Sequence, residues 1–99
     1  MNELNSIIVD GYVSSSIDGK GVFGVITTRH YTKESEHFTE KTPFKCLVPG
    51  SFLKMCSKNL KVGRNVRIVG RLSMVEGTLG VYVEHLEFKP GVNYTFKKD

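Results

Sequence analysis

The side chains able to do covalent or metal chemistry in this chain are few and scattered. His30, His37 and His85 lie apart, and no Ser or Cys stands in a motif that would activate it as a nucleophile. Gly19-Lys20-Gly21 lacks the spacing and the following Ser or Thr of a phosphate-cradling loop. His37 with Glu34, Glu36 and Glu40 offers ligand atoms for a metal, but within a charged stretch that reads as solvated loop. Cys46 and Cys56 have no CxxC partner or clustered His, so they read as free thiols acting as small hydrophobes. Neither a catalytic residue nor a metal or cofactor is expected, and the chain is not read as an enzyme. What remains is binding chemistry. Lys and Arg number 14 against 10 Asp and Glu, a net charge of +4 that admits an anionic partner without demanding one.

Binding groups must be held by elements, and the pattern is mostly β. At 99 residues the chain is one domain, small enough that subunit contacts are a common remedy for its limited core. The first strand is expected over about 5–14, with Ile7, Val9, Gly11 and Val13 on one face. Gly11 in mid-strand suits a sharply bent barrel strand. An Asp18-Gly19 turn leads to a second strand over about 22–32. Residues 33–41 read as exposed loop, and a third strand over about 43–48 ends at Pro49-Gly50. Phe52, Leu53, Cys56 and Leu60 fall at helical spacing, with Ser51 as a plausible N-cap and Gly63 as a stop. Strand four, about 65–74, puts Val66, Ile68, Gly70, Leu72 and Met74 on one face and Arg67, Val69, Arg71 and Ser73 on the other. In strand five, about 81–89, Val81 and Val83 have opposite parity to Leu86 and Phe88, which calls for a bulge. Pro90-Gly91 is expected to end regular structure, leaving 1–90 as the domain and 91–99 as a short tail. The fold class is therefore all-β with one helix: a five-stranded OB-fold barrel in β-β-β-α-β-β order.

Four stretches carry a resemblance to the bacterial single-stranded DNA-binding protein family. They are Asn5-Ser6-Ile7-Ile8-Val9-Asp10-Gly11-Tyr12-Val13, Phe23 to Tyr31, Thr42 to Val48, and the most specific, Leu60-Lys61-Val62-Gly63-Arg64-Asn65-Val66-Arg67-Ile68-Val69-Gly70-Arg71-Leu72. Together they span about 5–88. The resemblance implies sequence-tolerant binding of single-stranded DNA by a homo-oligomer, dimer or tetramer, in replication, recombination or repair. The family's long tail with an acidic tip is absent, so recruitment of replication or recombination proteins through such a tip is not implied; the ending is similar to that of a related primosomal protein of the same fold. Two alternatives stand beside this reading: an interaction subunit docking on replication proteins, and an RNA-binding OB domain, which the 2′-hydroxyl would distinguish. The start has no basic region leading into an apolar run, and the longest purely apolar stretch is Ile7-Ile8-Val9, so a cytoplasmic protein without membrane contact is expected.

Holding an unpaired strand takes flat rings for bases and cations for phosphates. By motif position the resemblance implies Tyr31 and Phe44 as stacking rings, with Phe38 and Tyr12 as further candidates. The cation candidates are Arg29, Arg67, Arg71, Lys33 and Lys45, with Lys41 beside them and Arg64 and Lys61 as lesser ones; Lys54 and Lys58 read as solvated helix residues. Phe23, Phe52 and Phe88 are expected in the core.

Overall fold

The computed structural model describes residues 5–50, 54, 57–89 and 92–95. It is all-β, a closed five-strand barrel with one added edge strand. The strands are β1 (Ile7–Ser15), β2 (Val22–Lys33), β3 (Glu36–Leu47), β4 (Asn65–Val75), β5 (Thr78–Phe88) and β6 (Val92–Thr95). The sheet order is β3-β2-β1-β4-β5-β6, and a parallel pairing of Cys46 with Val81 and Leu47 with Tyr82 joins β3 to β5 and closes the ring. No helix among the described residues is long and apolar enough to cross a membrane. Of the helix expected from Ser51 to Leu60, residues 51–53 and 55–56, Phe52 among them, lie outside the described residues.

β1 serves two neighbours. Ile7 to Tyr12 pair with Gly70 to Asn65 of β4, and from Tyr12 onward the strand pairs with β2. Gly11 sits at this change of partner, where a Cβ would lie 2.5 Å from the Ile26 carbonyl oxygen, so the two strands cross only because the side chain is missing. The phase conflict in β5 resolves as expected. Val69 pairs with His85 but Gly70 pairs with Val83, leaving Glu84 as an extra residue. Val81 and Val83 before the bulge, and Leu86 and Phe88 after it, therefore all turn inward and are buried.

The core is built from alternate positions of the five strands, with Phe23 and Phe88 its largest members. Each such ring, fully buried, contributes about 1.5–3 kcal/mol relative to exposure. Leu60, also fully buried, pins the β3–β4 connection to one end of the barrel. Cys46 lies in the same core, where burial pushes its thiol up to about 12, so it packs and does not react.

Two expectations need correction. Residues 33–41 are not a loop: β3 begins at Glu36 and pairs with β2 along its whole length, from Lys33–Glu36 to Val22–Leu47. The turn is made by Glu34 and Ser35, both with positive φ (52° and 66°), the geometry of a tight two-residue hairpin without the usual Asn or Gly. Beyond Pro90-Gly91 regular structure resumes, as Val92–Thr95 pair with Phe88 to His85. β6 takes the edge of β5 that β3 covers only near Val81 and Tyr82.

Candidate functional site

The β2–β3 hairpin runs well past the barrel as a two-stranded arm. Directly opposed residues share a face, so the inward parity of Phe23–Cys46 and Val25–Phe44 continues out along the arm through Arg29–Glu40 to Tyr31–Phe38. The β4–β5 hairpin, turning at Glu76 and Gly77 with φ of 50° and 80°, overhangs the same end, because β3 runs parallel to β5. Its inward parity continues through Leu72–Val81 to Met74–Leu79. The mouth of the barrel thus lies between two arms whose inner faces extend the core.

Tyr31 and Phe38 are stacked on each other, with centroids 5.3 Å apart and planes 20° off parallel. The Arg29 guanidinium lies 4.9 Å from the Tyr31 ring centre. Tyr31 is half-buried and Phe38 exposed, although no apolar core lies beneath the arm. Phe44 stands at the root of the arm, half-buried and packed against the core, so it carries both structure and mouth. Lys33 shares the face of Tyr31 by alternation. Three apolar side chains that the sequence reading left out of the site belong here: Leu72, Met74 and Leu79 are 46%, 64% and 65% exposed on the inner face of the second arm. Their alternation was visible in the sequence, but it spoke for core burial, and the barrel closes before it reaches them.

The remaining candidates lie elsewhere. Tyr12, Arg67 and Arg71 point from the outer face of β1 and β4, and Lys45 from that of β3. Tyr12 lines an open groove of about 320 Å³ with Asp10, Thr28, Asn65 and Lys89. Arg67 donates Nε to Asp10 Oδ1 (2.8 Å) and Nη2 to Oδ2 (3.2 Å), which holds the Asp10 carboxyl below the usual carboxylate range. Arg71 pairs with Glu84 at 3.3 Å, Lys45 with Glu76 at 3.3 Å, and Arg29 with Glu40 at 3.7 Å. All four pairs are solvent-exposed, where such contacts contribute only about 0–1 kcal/mol, so a phosphate can compete for each cation. The structure brings together Tyr31, Phe38, Phe44, Arg29 and Lys33; it does not bring Tyr12, Arg67, Arg71 or Lys45 to that face.

The arm's other face carries His30 and His37, whose Nδ1 atoms each lie 3.2 Å from a cross-strand threonine hydroxyl, Thr39 and Thr32. No group of three or more potential metal ligands occurs among the described residues.

The fold recurs in solved structures. The single-stranded DNA-binding protein of Plasmodium falciparum, solved with single-stranded DNA, superimposes with a TM-score of 0.72 over 89% of this chain and 98% of that one, at 20% identity. The fold is shared. A small single-stranded DNA-binding protein from Streptomyces coelicolor gives the same TM-score at 18% identity, over 93% of this chain and 97% of that one. The dimeric N-terminal domain of PriB from Thermoanaerobacter tencongensis gives 0.54 at 21% identity, over 87% and 97%. No protein-family model matches the sequence, and no curated protein matches it. The likeness to these proteins is one of architecture.

Proposed function

We propose that the chain is an OB-fold protein that binds single-stranded DNA with little sequence preference, in replication, recombination or repair. The observation that carries this reading is the Tyr31–Phe38 stack on a protruding arm, with a guanidinium against it, facing an apolar second arm across the barrel mouth. Stacked rings kept away from the core contribute little to folding, but they match the π-faces of unpaired bases, and every base has one. Arg29 and Lys33 supply charge for phosphates beside them, and Leu72, Met74 and Leu79 give the bases an apolar opposite wall. No step needs a catalytic group. Support comes also from the neighbours in P. falciparum and S. coelicolor, whose names state the same ligand.

The chain has four Tyr and no Trp, so quenching of tyrosine fluorescence by oligo-dT reports binding directly. The association constant is expected to fall log-linearly with salt, by about 0.7 in slope for each phosphate neutralised. Absence of quenching at low salt, or binding indifferent to salt, overturns the reading.

The same proposal includes a homo-oligomer formed through β1. Among the described residues this strand is paired before Tyr12 with β4 alone, so its other edge is open there from Ile7 to Asp10 apart from the Thr27 hydroxyl on the Asp10 carbonyl (2.7 Å). Ile8 beside it is 69% exposed. An open, apolar edge is a template for pairing with a second chain. Native protein is expected at a multiple of 11.1 kDa by solution scattering, and Ile8→Lys at 11.1 kDa; a native monomer rules this part out.

A further inference from the structure

The charge of this chain is unevenly placed. Residues 41–75 carry eight Lys and Arg and no Asp or Glu, although the whole chain has ten acids. Three of those eight cations, Lys45, Arg67 and Arg71, are neutralised by carboxylates from other segments. The other five have no acidic partner among the described residues. One is Lys41 on the arm; the remaining four, Lys54, Lys58, Lys61 and Arg64, belong to the β3–β4 connection. This connection lies at the end of the barrel opposite the two arms, where β4 starts and β5 ends.

That end is fixed. Leu60 is fully buried, Gly63 N–H donates to the Val13 carbonyl at 2.8 Å, and Val13 N–H donates to the Arg64 carbonyl at 2.9 Å. The Arg64 amide donates to the Lys61 carbonyl at 3.1 Å, folding the two residues into one turn with Gly63 at φ 91°. The Arg64 guanidinium lies against Phe88, its Cζ 5.5 Å from the ring centre, and its Nε is buried with no acceptor among the described residues. With Nε shut in, half-buried Arg64 has only its terminal Nη donors to offer a phosphate, and exposed Lys58 and Lys61 of the same connection add two more cations.

We infer that Lys58, Lys61 and Arg64 form a second phosphate-contact site, which the backbone of a long single strand reaches after leaving the mouth. The inference rests on the reading of the mouth as the base-binding site. The polyanion is taken to be the same DNA strand: among described residues 57–64 Val62 is the one large exposed apolar side chain, too little surface for an acidic peptide to dock on.

The test compares native protein with Lys58→Gln/Lys61→Gln, using oligo-dT on the order of 6 nucleotides, enough for the mouth, and on the order of 30, enough to pass beyond it. With the long oligomer, the salt slope is expected to drop by about 1.4 in the double variant and by about 2.1 when Arg64→Gln is added, at about 0.7 per contact. With the short oligomer, affinity and slope stay at native values, which also shows that the variants are folded. Unchanged slopes on the long oligomer overturn the site, and so does an equal loss at both lengths. A poly-Glu peptide that binds native protein but not the double variant, while the long-oligomer slope is unchanged, overturns it in favour of a protein partner. If native protein binds neither oligomer, it is the mouth reading that fails.

Discussion

Tyr31→Ala/Phe38→Ala is expected to bind oligo-dT about 2–4 kcal/mol more weakly than native protein, a loss of roughly 30- to 1,000-fold. One base stacked on one ring is worth about 1–3 kcal/mol. The two rings do not act independently, because each covers a face of the other at 5.3 Å. A base either adds to the outside of the stack or opens it, so the paired loss is not the plain sum of the single ones. Arg29 sharpens the effect. Its guanidinium rests on Tyr31, and Tyr31→Ala removes that support and frees the side chain to the Glu40 carboxylate. The fold is expected to survive, since neither ring belongs to the barrel core. Phe44→Ala is a poorer probe: Phe44 packs on that core, so lost affinity would be confounded with lost stability. Oligonucleotide titration of the double variant, beside a thermal melt showing native stability, reads the effect cleanly. Undiminished affinity in a folded double variant would remove the rings from the binding site.

The barrel was legible because its strands obey one rule, alternation against a single core. β4 announced itself through Val66, Ile68 and Gly70, and the broken parity of β5 called for the bulge that Glu84 makes. The rule fails wherever the sheet leaves the core. The arm residues of β2 and β3 face water on both sides, so their polarity spoke for loop, and Glu34-Ser35 carries no glycine or asparagine to mark the turn. The loop reading concealed that Phe38 lies opposite Tyr31. Conversely, Leu72 and Met74 alternate like core residues while overhanging the barrel end. The ion pairs were out of reach for another reason. Arg67 meets Asp10 and Lys45 meets Glu76 across strands distant in sequence, so the state of each cation is a product of closure and cannot be read from its own segment.

Closure itself depends on Gly70, and Gly70→Ala is expected to destabilise the fold by about 2–4 kcal/mol, the range of severe core overpacking. An added Cβ would fall well inside contact distance of the Tyr82 carbonyl oxygen and 2.9 Å from Val81 Cγ1. The carbonyl belongs to backbone that pairs β5 with both β3 and β4, so it cannot swing aside as a side-chain tip can. Relief would have to come from moving β4 away just where the Glu84 bulge resets the register, loosening Val81 and Val83 from the core. For a domain of this size the loss corresponds to about 10–25 °C in melting temperature. Gly77→Ala is the control. Gly77 has φ 80° but nothing within 4 Å, so its cost is backbone strain alone, about 1–2 kcal/mol. Thermal and urea melts of the two variants should rank Gly70→Ala clearly below Gly77→Ala. The same rank order should appear in oligo-dT binding, because the position of the second arm over the mouth is set by how closely β4 approaches β5 at Gly70. If Gly70→Ala melts with the native protein, the tight crossing is not what holds the barrel shut.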